Sequence, residues 1–369
     1  MSIVVSPVRT FVGRGAQVLL KEARVDRPMS LRPGRWLPAG AWCAAVLLAG
    51  TALAAPAGYL SSQIAGAQGG TAALTFGPDG TLYLADMSRS NAIRAVAPSG
   101  AARDISISGA SLASVGGMAW DPVSSRVLVT DNKGWGDGQG YLYSIDPATG
   151  AAEVLASGID YIDDVAVSPA GHIFISDANW APSGRIMYVP RSGAPLTVVD
   201  NLNLAAGLGF DAGGNLFFQD LDFSFLGNVW RATVSDGPTG PLVGAPQLLA
   251  SGLSAAFDLT VDSEGDVFVS GSGGLMMLDR GPGGAFTGMA SIFDSNGNPW
   301  QFATEVAFIA GPDPFEPFGG ARGGRLVYVP EYGSSSLISI TTAVPEPTAV
   351  AAGLALASLL AIRRRRSEL

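Results

Sequence analysis

Short apolar segments alternate with glycine- and proline-rich turns along most of the chain, and one pattern recurs. A short aliphatic strand is followed by a turn of the form Pro/Ala/Ser-x-Gly, then by a second apolar strand that usually ends in Asp. The glycine can adopt a positive φ in a tight turn, so each copy predicts a β-hairpin. Regular copies occupy residues 74–86, 165–177, 208–220 and 259–271, and looser copies occupy 118–131 and 306–331.

Each hairpin continues into a third strand, as at 92–97, and usually a fourth, as at 153–156. The first aliphatic residues of the copies are 44, 47, 43, 51 and 47 residues apart, which is typical of propeller blades. The pattern predicts an all-β fold, a six-bladed β-propeller of four-stranded blades at residues 55–343. A solenoid of stacked hairpins is the structural alternative. Because the last copy lacks a fourth strand, we expect residues 59–64 to supply it and to close the ring.

The first 54 residues have the features of a signal peptide. Arg32 and Arg35 precede an apolar run at 39–53, and Ala52 and Ala54 occupy the −3 and −1 positions of a signal-peptidase site. Cleavage is predicted after Ala54, with Met29 as an alternative start of the chain. A buried core helix is the other interpretation of the apolar run.

The last 26 residues combine a proline-rich motif, a short apolar helix and a basic cluster. The apolar segment, 348–362, spans about 22 Å as a helix, short of the ~30 Å hydrocarbon core, and is marginal as a permanent membrane span. The parts of the tail are Val344, Pro345, Glu346 and Pro347, then the apolar segment, then Arg363, Arg364, Arg365 and Arg366. A plain C-terminal membrane anchor is the alternative.

These three parts together resemble the PEP-CTERM sorting signal. The resemblance implies a Gram-negative, exopolysaccharide-making bacterium, in which the membrane protease exosortase cuts the tail near Pro345–Pro347. Signal peptidase and exosortase are then partners during export. The expected location is the cell surface or the extracellular space, after transient anchoring in the inner membrane.

Charge and cysteine content narrow the chemistry of the propeller. Residues 55–343 carry 11 Lys and Arg against 27 Asp and Glu, a net charge of −16, which disfavours nucleic acid as a partner. Cations and neutral polymers suit an acidic body better. The only cysteine, Cys43, lies in the predicted signal peptide, so the mature chain has no thiol chemistry and no disulfide. Because His172 is the only histidine, histidine-rich zinc sites are excluded, and its position just after a turn predicts a strand-start residue and not a catalytic base.

Acids and aromatic residues remain as candidates for binding. In a propeller, the start of each innermost strand and the loop after each second strand share one face, which we call the upper face. Near the central channel this face is predicted to carry four candidate metal ligands, Asp163, Asp164, Asp258 and Glu305. Its loops carry a candidate binding surface for polysaccharide or Ca²⁺, formed by Trp135, Asp137, Trp180, Asp220, Asp222 and Tyr332. The alternative for each Asp that ends a second strand is a hydrogen bond to its own loop.

The repeat resembles NHL-type and gluconolactonase/regucalcin-like six-bladed propellers over residues 57–342. For such enzymes the resemblance implies a divalent metal held in the channel by Glu, Asn and Asp. Asp163 matches the Asp position, whereas Ala72 stands where Glu is expected, which argues against lactonase activity. Two functions stay open: a surface or secreted protein that binds extracellular polysaccharide or acts as a scaffold, and a metal-dependent gluconolactonase-like hydrolase.

Overall fold

The strands and their pairing define the architecture. The computed structural model of the chain describes residues 59–63, 71–86, 91–133, 138–179, 183–222, 224–254, 257–262, 265–271, 274–294, 306–309, 325–328 and 338–342. These residues form 26 strands, and no helix occurs among them. The predicted signal peptide and the predicted sorting tail with its apolar segment lie outside the described residues. Within the described part, no helix has the length and apolar character that a membrane span requires.

The strands follow the predicted repeat. The chain begins with β1 (Tyr59–Gln63) and the first blade, β2 (Thr71–Phe76), β3 (Leu82–Asp86), β4 (Ala92–Val96) and β5 (Ala102–Ser106). The second blade comprises β6 (Val115–Asp121), β7 (Arg126–Asn132), β8 (Gly140–Ile145) and β9 (Ala152–Ile159). The third blade comprises β10 (Ile162–Val167), β11 (Ile173–Asp177), β12 (Gly184–Val189) and β13 (Leu196–Leu202).

The fourth blade carries an additional hairpin. It comprises β14 (Ala205–Phe210), β15 (Leu216–Leu221), β16 (Leu226–Ala232), the inserted strands β17 (Val234–Gly237) and β18 (Gly240–Val243), and then β19 (Gln247–Ser254). The fifth blade comprises β20 (Asp258–Val261), β21 (Val267–Gly271), β22 (Gly274–Arg280) and β23 (Phe286–Asp294). The last strands are β24 (Val306–Ile309), β25 (Arg325–Tyr328) and β26 (Ile338–Thr342).

Antiparallel pairing closes the ring. Five four-stranded sheets lie within the chain from β2 to β23, and a further four-stranded sheet has the order β1-β26-β25-β24. The N-terminal strand β1 therefore supplies the fourth strand of the last sheet, with Tyr59 opposite Thr342, as predicted. The innermost strand β2 contacts both β6 and β24, and β24 also contacts β20. The prediction of an all-β propeller with four-stranded blades is confirmed, and the open solenoid is wrong.

The glycines of the repeated turn take the predicted conformation. Gly80, Gly171, Gly214 and Gly265 have φ values of 79°, 83°, 79° and 83°, respectively. Each donates its N–H to the carbonyl oxygen three residues earlier, at 2.8 to 3.1 Å. Only glycine adopts this left-handed conformation without a steric penalty, so the glycine fixes the turn of each hairpin.

The hydrophobic core lies between the blades. Four buried clusters each combine side chains of two consecutive blades, from the first and second to the fourth and fifth. In β7, Val127 and Val129 pack toward the first blade, whereas Leu128 packs toward the third. Both faces of the sheets are therefore buried, which explains why the second strands are almost continuously apolar. An ion pair between the buried Asp121 and the largely exposed Arg191 adds to one of these interfaces, since Arg191 donates to both carboxylate oxygens of Asp121 at 2.7 and 2.8 Å.

Candidate functional site

One position of the innermost strands carries most of the candidate channel residues. It is the residue just before the first aliphatic residue of each repeat, and in the described blades it is occupied in order by Ala73, Gly117, Asp164, Gly207 and Asp258. Glu305 has the same place in the last repeat and lies outside the described residues. From the second blade to the fifth, glycine alternates with aspartate.

The Asp164 carboxylate joins the third blade to the fourth. Its Oδ1 accepts a hydrogen bond from the N–H of Val165 at 2.7 Å, and its Oδ2 accepts one from the N–H of Leu208 at 2.7 Å. The backbone N–H of Asp164 in turn donates to the Oγ of Ser176 at 2.8 Å. Both oxygens of this predicted metal ligand are therefore engaged with the backbone.

Asp258 repeats this arrangement between the fifth blade and the last. Its Oδ1 accepts from the N–H of Leu259 at 2.7 Å, and its Oδ2 accepts from the N–H of Val306 at 2.8 Å. Its own N–H donates to the Oγ of Ser270 at 3.0 Å. The carboxylates of Asp164 and Asp258 thus link consecutive blades, a role that the sequence analysis did not assign to them.

The alternating glycines make room for these carboxylates. A Cβ on Gly117 would overlap Oδ1 of Asp164, and a Cβ on Gly207 would lie 2.6 Å from Cα and 2.9 Å from Oδ1 of Asp258. A Cβ on the neighbouring Gly116 would overlap the carbonyl oxygen of Asp163. The innermost strands can approach this closely only because glycine lies opposite aspartate.

Asp163 differs from the other two acids. It is half-buried, and among the described residues none donates a hydrogen bond to its carboxylate. Burial raises the pKa of the Asp163 carboxyl to about 7. Burial, and to a smaller extent the charge of Asp163, also raise the pKa of Asp258 to about 7, although its two backbone donors act in the opposite direction. Burial and the charge of Asp258 raise the pKa of Asp164 well above its usual range. The acids therefore resist simultaneous ionisation.

These raised pKa values predict that the propeller loses stability as the pH rises. An Asp whose pKa moves from 3.8 in the unfolded chain to about 7 in the fold stabilises the fold fully below pH 3.8, and that contribution is lost as the pH approaches 7. We expect Asp163→Asn to raise the free energy of unfolding at pH 8 by roughly 1–3 kcal/mol and to flatten its decline between pH 5 and 8. Urea unfolding at several pH values measures this. The surface variant Asp104→Asn is the control, and an unchanged pH profile in Asp163→Asn would contradict the assignment.

The described acids do not by themselves form a metal site. Among the described residues, no three Asp, Glu, His or Cys side chains lie close enough together to hold one ion. Asp164 and Asp258 direct their oxygens to backbone N–H groups, because each lies beside the first aliphatic residue of the next repeat. Asp163 is the one described candidate with a carboxylate that no described donor engages.

Of the predicted surface for polysaccharide, the structure describes Asp220 and Asp222. Asp220 is 5% exposed, and its Oδ1 accepts from the N–H of Asn203 at 2.8 Å. Asp222 fixes its own loop, since its Oδ1 accepts from the N–H groups of Ser224 and Leu226 at 2.8 and 2.9 Å. Trp135, Asp137, Trp180 and Tyr332 lie outside the described residues.

The described hydrogen bonds of three Asp residues that end second strands come from outside the loops that follow those strands. Like Asp220, Asp131 and Asp177 accept hydrogen bonds from the backbone just before the innermost strand of the same blade. The donors are the N–H groups of Ala113 and Ser114 for Asp131, and of Tyr161 for Asp177. These carboxylates hold the first strand of a blade in register with the second.

The structure contains a groove that the sequence analysis missed. It has a volume of about 460 Å³ and lies between the outer strand β13 of the third blade and the fourth blade. Its lining includes Asp200, Leu202, Asp220, Trp230 and Pro246. Its one sequence signal is the interval of 51 residues between Leu208 and Leu259, the longest in the repeat, which accommodates the inserted hairpin.

No protein-family model and no curated protein matches the chain, whereas solved structures similar to it are known. The structure is similar to a gluconolactonase from Xanthomonas campestris, with a TM-score of 0.55 and 15% identity over 77% of this chain and 90% of that one.

Two further solved structures are similar to the same extent. A PQQ-bound aldose sugar dehydrogenase from Streptomyces coelicolor has a TM-score of 0.55 and 16% identity, over 79% of this chain and 100% of that one. The calcium-binding protein regucalcin from Agrobacterium tumefaciens has a TM-score of 0.53 and 16% identity, over 77% and 94%. At these identities the likeness shows the fold alone, a β-propeller.

Proposed function

We propose that the chain is an exported β-propeller that binds extracellular polysaccharide and is processed through a PEP-CTERM tail. The hydrogen bonds of the two innermost-strand acids, Asp164 and Asp258, are the observation that favours binding over catalysis. Asp164 and Asp258 each use both carboxylate oxygens to accept backbone N–H groups, so they hold blades together. A group bound in this way is a poor ligand or general base, because chemistry at its oxygens would break contacts between blades.

Three further features support the proposal. The leader with Ala52 and Ala54 and the tail with Val344–Pro347 and Arg363–Arg366 support export and sorting. The net charge of −16 in residues 55–343 favours a neutral polymer over a polyanion. The structurally similar gluconolactonase and aldose sugar dehydrogenase are, by their names, proteins of sugar chemistry.

The second candidate is a metal-dependent gluconolactonase-like hydrolase. It is favoured by Asp163, which stands at the position of the enzymes' metal-binding Asp and keeps a carboxylate that no described residue engages. Ca²⁺ is the metal to test, since hard carboxylate oxygens suit it and the similar regucalcin is a calcium-binding protein. The metal would supply Lewis-acid chemistry at the channel, and Asp163 would help to hold it.

Two measurements on the full chain separate these functions. We expect the protein to co-sediment with an insoluble neutral polysaccharide such as cellulose or a galactomannan gel, and Trp135→Ala with Trp180→Ala to weaken this at least fivefold. We expect its melting temperature to be independent of Ca²⁺ from 10 μM to 10 mM. A melting temperature that rises with the logarithm of Ca²⁺ concentration, and loses this rise in Asp163→Asn, would favour the hydrolase instead. Absence of co-sedimentation with any polysaccharide would contradict binding.

A further inference from the structure

The inserted hairpin of the fourth blade fixes one wall of the groove. β17 and β18 pair with each other, and the N–H of Gly244 donates to the carbonyl oxygen of Thr233 at 2.8 Å where the hairpin returns. The hairpin also contacts the third blade. Asp236 Oδ1 lies 2.7 Å from Nε2 of His172, and Gly240 lies so close to the ring of Tyr188 that a Cβ there would be 2.8 Å from it. The hairpin therefore contacts both the third and the fourth blade, and these contacts fix the shape of the groove between them.

An aromatic ring and aliphatic side chains supply the apolar part of the lining. The half-buried Trp230 stacks on Phe218, with ring centroids 6.5 Å apart and an interplanar angle of 13°. Val198, Leu202 and Val243 add aliphatic surface. The indole N–H of Trp230 is buried and has no hydrogen-bond partner among the residues that the structure describes. A ligand oxygen that reached this N–H would supply the missing acceptor.

The polar part of the lining is acidic or neutral. Asp200 is exposed, and its Oδ1 accepts from the side-chain amide of Asn201 at 2.7 Å. Asp220 contributes a carboxylate at the buried end. No Lys or Arg belongs to the described lining. Carboxylates accept hydrogen bonds from hydroxyl groups and repel anions, so a neutral polyhydroxylated ligand suits this lining better than a phosphate, a sulfate or a uronate.

We propose that this groove binds a neutral sugar unit, with a hydroxyl group on the exposed Asp200 and its C–H surface on Trp230 and the aliphatic side chains. The proposal rests on the proposed function, because it names a place where an extracellular polysaccharide is held. The volume of about 460 Å³ is within the ~300–1,000 Å³ of small-molecule sites, and it accommodates a short stretch of a glycan chain. The site is lateral, between two blades, and is separate from the acids of the innermost strands.

The test blocks the groove without disturbing the core. Ala245 is exposed and lines the groove, so Ala245→Trp fills it, whereas Ala148→Trp makes the same change in an exposed turn of the second blade. Trp230→Phe keeps the stacking on Phe218 and removes the N–H. Binding of cellotriose, maltotriose, mannotriose and trigalacturonate to the full chain is measured by calorimetry, and thermal unfolding verifies the fold of each variant.

We expect at least one neutral trisaccharide to bind, Ala245→Trp to weaken it tenfold or more, Trp230→Phe to weaken it about threefold, and Ala148→Trp to leave it unchanged. Tighter binding of trigalacturonate than of every neutral sugar would overturn the proposal, as would unchanged affinity in a folded Ala245→Trp. If Ala245→Trp keeps its affinity for the trisaccharide while the wild type still co-sediments with polysaccharide, the groove is not the binding site and the proposed function stands. If the wild type binds no glycan at all, both are wrong.

Discussion

Replacement of Gly116 by alanine is expected to prevent most of the chain from reaching the folded state. A Cβ at this position would overlap the carbonyl oxygen of Asp163 and would lie 2.9 Å from its carbonyl carbon and 3.1 Å from its Cα. All three are backbone atoms, so no side chain can rotate away. Two innermost strands would have to separate, and the expected loss is on the order of 4 kcal/mol or more. Soluble yield and the midpoint of urea unfolding measure the loss.

The matched control is Gly281→Ala, in a turn of the fifth blade. A Cβ there would meet the Cγ2 of Thr287 at 3.4 Å and the carbonyl oxygen of Ala285 at 3.7 Å, which are ordinary contact distances. We expect this variant to unfold within about 0.5 kcal/mol of the wild type. If Gly116→Ala behaves like Gly281→Ala, the close approach of β6 and β10 is not required for folding.

Deletion of Tyr59–Gln63 is expected to open the ring and to expose a sheet edge. The five residues of β1 pair with five residues of β26, from Tyr59 opposite Thr342 to Gln63 opposite Ile338. Without β1, the last blade keeps three strands and β26 presents unpaired N–H and C=O groups to solvent. At about 0.5–1.5 kcal/mol for each net hydrogen bond, we expect a loss of roughly 3–5 kcal/mol in the free energy of unfolding. Urea unfolding and light scattering measure the loss and the accompanying aggregation.

A peptide with the sequence of residues 57–65, added in trans, provides the control for this deletion. It should occupy the vacant edge, restore part of the lost stability and reduce scattering, whereas the same residues in scrambled order should not. An unfolding midpoint equal to that of the wild type in the deletion variant would show that β1 is dispensable.

The fold was largely predictable because its determinants are local and repeated. A glycine that must adopt positive φ follows the first strand in four of the described blades, and both strands of the hairpin are apolar, so Gly80, Gly171, Gly214 and Gly265 reveal these blades directly. The closing strand was predictable by counting, since the last repeat ends without a fourth strand. The resemblance of the terminal segments to sorting signals is equally local, and the structure describes neither segment.

The roles of the acids were less predictable because their partners are distant in sequence. Asp164 bonds to a backbone N–H 44 residues away, and Asp258 to one 48 residues away. The sequence places both carboxylates on innermost strands, as the structure has them, yet a carboxylate that binds metal and one that accepts backbone N–H groups have the same residue type and position. The alternation of Gly117, Asp164, Gly207 and Asp258 is visible in the sequence. It indicates that a glycine of one innermost strand packs against an aspartate of the next.

The direction of the strands decides where the propeller is attached to the rest of the chain. In the last blade, Val306, Tyr328, Ile338 and Gln63 lie at one end of the strands, on the upper face, whereas Tyr59 and Thr342 lie at the other. The two ends of the ring are paired residues on adjacent strands, about 5 Å apart. If the protein is attached through either terminus, the attachment therefore lies at this one place, on the face opposite the upper face. The upper face, with the starts of the innermost strands and the loops that follow the second strands, then lies on the side opposite the two ends of the ring.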